Sequence, residues 1–102
     1  MRLTGQDVLL NAIRKHVDAR KSLQLWAAAV EDADWQSLED VRADYPSADG
    51  VKLASRIVVT VFNVTCNEYR LLTSINYRGQ TVVVLELLTH AAYDKDQWKA
   101  RC

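Results

Sequence analysis

A change of hydrophobic period near the middle of the chain constrains its fold more than any other feature. Before it, apolar residues recur at helical spacing, with Leu9, Ile13 and Val17 four apart and Leu23, Trp26, Ala27 and Val30 forming a second stripe. After it, Ile57 to Val64 is almost all β-branched or aromatic, Tyr69 to Tyr77 alternates, and Thr81 to Leu88 is β-branched and aliphatic. That is the composition of strands. The spacing predicts one helix from Asp7 to about Ala19 and another from Ser22 through Val30, packed as a hairpin, with Thr4 and Ser22 as start signals. A short third helix covers Ser37 to Ala43 and stops before Pro46, because proline disfavours helix in the preceding residue. Short connections make the three strands an antiparallel meander, with residues 1–4 as a candidate edge strand. Helices first and sheet second is an α+β layout, with the helices on one sheet face.

The last two strands predict where side chains point. Arg78-Gly79 reads as a two-residue hairpin turn in which Gly79 takes a positive φ. Tyr77 then stands opposite Gln80. Leu71, Thr73, Ile75, Val82, Val84, Glu86 and Leu88 share the face toward the helices. The other face carries Arg70, Leu72, Ser74, Asn76, Val83, Leu85 and Leu87. Aliphatics exposed there form a patch that fits a partner, so Leu72, Val83, Leu85 and Leu87 are read as partner-facing.

The 102 residues suit one domain spanning 1–102. Two cysteines, Cys66 and Cys102, are too few for a disulfide framework, so a reducing, cytoplasmic setting is expected. The start of the chain carries no secretory signal, and no apolar run approaches the roughly 20 residues of a membrane span. Isolated glycines at 5, 50 and 79 make no phosphate cradle, and His16 and His90 have no metal-ligand spacing. Neither a metal nor a cofactor is expected. The formal charge of zero argues against a uniformly basic nucleic-acid binder, but it is a sum of two regions. Residues 31–49 hold seven acids and one base, and the remaining chain holds 12 bases and six acids. The local field, not the total, meets a substrate.

The run Thr89-His90-Ala91-Ala92-Tyr93-Asp94-Lys95 places an imidazole, a phenol, a carboxylate and an ammonium just beyond a strand end. A catalytic cluster and a structural histidine beside an interfacial tyrosine both fit these residues. Arg70 fits an ion-pair partner of Glu68 or Glu86 as well as it fits a phosphate clamp. The residues alone leave both readings open.

Taken in order, Leu25-Trp26, Ala33-Asp34-Trp35-Gln36-Ser37, Asp40-Val41-Arg42, Pro46-Ser47-Ala48-Asp49, Val61-Phe62-Asn63-Val64, Asn67-Glu68-Tyr69-Arg70-Leu71 and Thr89 to Lys95 resemble the HigB-type toxins of the RelE superfamily. The resemblance covers nearly the whole chain and implies a RelE-like fold. The implied function is an mRNA endoribonuclease, or mRNA interferase, acting without a metal, typically on translating ribosomes. It implies inhibition by a HigA-type helix-turn-helix antitoxin, which contacts operator DNA while the toxin does not. In such chemistry the RNA 2′-OH attacks the adjacent phosphate, so the protein must move two protons and stabilise a dianionic phosphorane. The resemblance assigns Arg70 to the phosphate, His90 to acid or base chemistry, and Tyr93 to proton transfer or base stacking. It places Asn67, Lys95 and Lys99 against RNA. Two positions depart from the family pattern: Cys66 stands where relatives usually carry Gly, and Leu85 where they usually carry Arg or Lys. Arg56 and Arg78 are the candidates to replace that missing cation. The alternative reading is a weakened or inactive relative that binds an antitoxin or itself.

Overall fold

The computed structural model describes residues 1–65 and 68–100. Five strands form one sheet: β1 (Arg2–Thr4), β2 (Asp49–Lys52), β3 (Val58–Val64), β4 (Tyr69–Asn76) and β5 (Thr81–Thr89), in the order β1-β5-β4-β3-β2. The expected meander of β3, β4 and β5 is present and antiparallel. Residues 2–4 do add an edge, and they run parallel to β5. Strand β2, which the spacing does not predict, pairs antiparallel with β3 and closes the other edge.

The β4–β5 hairpin departs from expectation in its turn and its register. Its loop is the four-residue segment Tyr77 to Gln80, and Gln80 (φ 51°), not Gly79, takes the left-handed conformation. Gly79 N–H donates to Asn76 Oδ1 at 2.9 Å, and a Cβ at this position would press on the Asn76 amide, 3.0 Å from its Nδ2. From Asn76 opposite Thr81 to Thr73 opposite Val84 the expected register holds. Between Thr73 and Leu72 it slips, so that Leu72 faces Glu86, Leu71 faces Leu87 and Arg70 faces Leu88. A one-residue slip turns every later side chain of one strand to the opposite face. Leu87 therefore packs in the helix-side core and Leu88 on the far side, the reverse of the expected placement.

Helix α1 (Gln6–Lys15) starts from Gly5, not from a Thr4 cap. Gly5 has φ 77°, and a Cβ there would sit 2.6 Å from the Val84 carbonyl oxygen, so both its conformation and its packing require glycine. A 3₁₀ turn (Val17–Ala19) makes the corner into α2 (Arg20–Asp32), which begins ahead of the expected Ser22 cap. Helix α3 (Leu38–Asp44) follows, ending at Tyr45 before Pro46 as expected. Leu9, Leu23, Trp26, Val30 and Val41 bury against Phe62, Leu71, Val82 and Val84. Phe62 is the hub, with Trp26 at 5.4 Å, Tyr45 at 5.3 Å and Trp35 at 6.1 Å between ring centroids. No helix among the described residues is long and apolar enough to cross a membrane.

The far face is covered. After β5 the chain turns into α4 (His90–Asp94) and a 3₁₀ turn (Gln97–Ala100). Trp98, fully buried, seals a second core of Leu53, Val59, Val61, Leu72 and Leu88. Leu72 is 0% exposed, and Leu85 is half-buried against the same cluster. The expected partner-facing patch of Leu72, Val83, Leu85 and Leu87 is thus not formed: the C-terminal segment takes Leu72 and Leu85, the register slip takes Leu87, and Val83 is half-buried.

Candidate active site

Pairing of Tyr69 with Thr89 aligns the start of β4 with the end of β5. Arg70 thereby comes beside the residues that follow Thr89. The turn into α4 is held twice: the Thr89 hydroxyl accepts from the Ala92 N–H at 3.1 Å, and the His90 N–H donates to the Glu68 carbonyl at 2.9 Å. The first is an N-cap, satisfying a donor that a helix start leaves free.

Two side-chain pairs result. The Arg70 guanidinium carbon lies 5.9 Å from the centre of the Tyr93 ring, and its Nη1 donates to the Tyr69 carbonyl at 3.2 Å. His90 Nε2 lies 3.2 Å from Asp94 Oδ2, one helical turn on, with both side chains exposed. Tyr93 is itself fixed from below, since its ring stacks on Trp98 (5.3 Å, 14°) and its carbonyl accepts from Trp98 Nε1 at 3.1 Å. Burial, then the nearby Asp49 carboxylate, push the Tyr93 phenol above its ordinary value, with Arg70 opposing. Both leading causes disfavour the phenolate. A protonated Tyr93 hydroxyl has a proton to give and no lone site to take one, and its burial makes it a weaker acid than a free phenol. His90 also lines a cleft of about 460 Å³ with Glu68, Tyr69, Thr89 and Ala91. Tyr69, which lines it, is nearly buried; its hydroxyl donates to Asp18, a bond that raises its own phenol pKa.

The other candidates scatter. Lys95 is exposed at the end of α4, and Lys99 lies 5.8 Å from the Trp98 ring while pairing with Asp96 at 3.4 Å. Asn67 lies outside the described residues, as does Cys66. Arg56 and Arg78 are exposed but sit at the opposite end of the sheet, Arg56 before β3 and Arg78 beyond β4. From Arg70 to Asn76 β4 spans six steps, roughly 20 Å at ~3.3 Å each. Both arginines therefore leave the strands at the end away from Arg70. Asp94, the carboxylate of the Thr89–Lys95 run, takes its partner one turn back at His90. Two contributors carry no signal in the sequence pattern: Trp98, five residues beyond Tyr93, and Asp49, which reaches Tyr93 only through the tertiary fold.

These features define a class: a small helix-on-sheet protein with an arginine, a histidine and a tyrosine gathered at one sheet end. Residues 19–96 match the family described as HigB_toxin, the RelE-like toxic component of a toxin–antitoxin system, and the chain belongs to that family. It is 28% identical over 94 residues to the mRNA interferase toxin HigB of Escherichia coli K12, covering 92% of this chain and 88% of the relative. The mRNA interferases HigB of E. coli O157:H7 and Shigella flexneri match to the same extent.

Proposed function

We propose that the chain is the toxin of a type II toxin–antitoxin pair, an mRNA interferase that cuts RNA by attack of a 2′-OH on its neighbouring phosphate. The observation that carries this reading is the Arg70 guanidinium held against Tyr93 at the sheet end where β5 runs into the His90–Asp94 pair. His90, oriented through Nε2 by Asp94, accepts the 2′-OH proton at its other nitrogen. Arg70 donates to the non-bridging oxygens as negative charge builds. Tyr93, its ring held between Trp98 and the Arg70 guanidinium, gives its proton to the departing 5′-oxygen, an alkoxide far more basic than a phenolate. The O2′–P bond forms and the P–O5′ bond breaks, leaving a 2′,3′-cyclic phosphate and a 5′-hydroxyl. Lys95 and Lys99 contact the RNA backbone beyond the cut.

An antitoxin partner follows from the family. A HigA-type helix-turn-helix antitoxin, docking on translating ribosomes, operator contact through the antitoxin alone, and a cytoplasmic setting belong to the proposal. Induction of the toxin without an antitoxin tests it. Growth arrest abolished by Arg70→Ala and by His90→Gln is expected. Full arrest by both variants, or none by the wild type, overturns the reading in favour of a binding module.

A further inference from the structure

The corner between α1 and α2 carries a charge pattern that the fold does not account for. Arg14 and Lys15 close α1, Arg20 and Lys21 open α2, and all four are exposed. Cations in the last turn of a helix complement its dipole, which gives Arg14 and Lys15 a structural reason. Arg20 and Lys21 have none: they stand at the positive end of α2, whose first turn holds no acid. The one acid between them, Asp18, is held by the Tyr69 hydroxyl at 2.8 and 3.0 Å. At the centre of the corner, Val17 is 70% exposed.

This corner is continuous with the candidate active site. The His16 ring lies 4.8 Å from that of Tyr69, and Tyr69 lines the cleft that holds His90. On the other side, Lys15 and His16 line a second cavity of about 220 Å³ with Glu86 and Leu87. From the His90 cleft the Tyr69–His16 pair thus leads to Lys15, with Arg14 beside it at the end of α1 and Arg20 and Lys21 across the corner at the start of α2. Glu68 and Glu86 flank this path and leave the helix corner as its positive side.

We propose that the α1–α2 corner is a docking surface for the sugar–phosphate backbone of the RNA substrate. It rests on the RNA-cleaving reading for the identity of the polyanion. Cations set along a path that passes the half-buried His16 ring suit a single-stranded polynucleotide, whose charge is regular and whose bases have flat faces. An acidic polypeptide offers the charge without the faces.

The test compares the wild type with R14Q/K15Q/R20Q/K21Q, all changes at exposed positions. The probe is a 20-nucleotide RNA methylated at every 2′-oxygen, which cannot be cut, and its affinity is followed by fluorescence anisotropy between 50 and 200 mM KCl. Four single-strand phosphate contacts at a slope of about 0.7 each make a salt response of ~50-fold over this range. The quadruple variant is expected to lose that response, and each double variant, R14Q/K15Q or R20Q/K21Q, about sevenfold of it. Unchanged salt dependence in all three overturns the proposal. So does polyglutamate of matched charge that binds the wild type as tightly as RNA does and is lost in the same variants, the mark of an acidic-protein site. Arg70→Ala separates the two readings: if it cuts RNA at the wild-type rate the catalytic assignment fails, while the salt response still decides the corner.

Discussion

Removing the Trp98 side chain tests how the sheet's far face is sealed and how Tyr93 is held. Trp98 is fully buried, touches the cluster of Val59, Val61, Leu72 and Leu88, and stacks on Tyr93. Truncating a buried tryptophan to alanine costs about 3–5 kcal/mol, within which an aromatic pair is worth roughly 0.5–1.5. For a chain of this size each kcal/mol moves Tm by about 4–8 °C. Trp98→Ala is therefore expected to lower Tm by at least ~12 °C in calorimetry. Freed from its stack, Tyr93 shifts, and a displacement of about 1 Å at such a group costs roughly 10²-fold in rate. A loss below about 1 kcal/mol would contradict the burial of Trp98 in a core shared with the sheet. It would mean that residues 90–100 undock without unfolding the sheet, which hydrogen exchange across α4 would register as local opening.

Gly5→Ala is expected to destabilise by about 2 kcal/mol or more in denaturant unfolding, because alanine at φ 77° is strained and its Cβ meets the Val84 carbonyl; a neutral result would contradict the placement of β1 and α1 against β5. Phe62→Ala removes the ring on which Trp26, Trp35 and Tyr45 converge, and an expected cost of about 3–5 kcal/mol is read from the same measurement. All four tyrosines have phenols displaced upward, so absorbance at 295 nm is expected to show no tyrosinate midpoint below pH ~10. The folded state then binds more protons than the unfolded one above that pH, so this contribution to stability is complete below pH ~10 and lost as pH rises through the folded values. A midpoint below 10 that disappears in Tyr93→Phe would contradict the burial of the Tyr93 phenol near the Asp49 carboxylate.

The strands and helix hairpin are legible because periods of 2 and 3.6 are written directly into residues 7–30 and 57–88. Strand β2 is not: Asp49-Gly50-Val51-Lys52 has one apolar side chain and becomes a strand only by pairing with β3. The slip at Leu72 is equally hidden, since Leu85, Leu87 and Leu88 are all aliphatic and either register keeps leucine on both faces. Arg70, His90 and Tyr93 are legible as a group because strand pairing brings the start of β4 to the end of β5. Arg56 and Arg78 mislead for the same reason inverted. They flank the same strands in sequence, but at the ends that point away from Arg70. Trp98 carries no periodic signal, so a face that reads as open is closed by it.

The chemistry of the cut ends distinguishes attack by the RNA 2′-OH from attack by water. The purified toxin is added to a translating extract, and the fragments of a defined mRNA are mapped at both new termini. A 2′,3′-cyclic phosphate upstream and a 5′-hydroxyl downstream, both absent with Arg70→Ala, are the expected result. A 3′-hydroxyl with a 5′-phosphate, as attack by water produces, would contradict it.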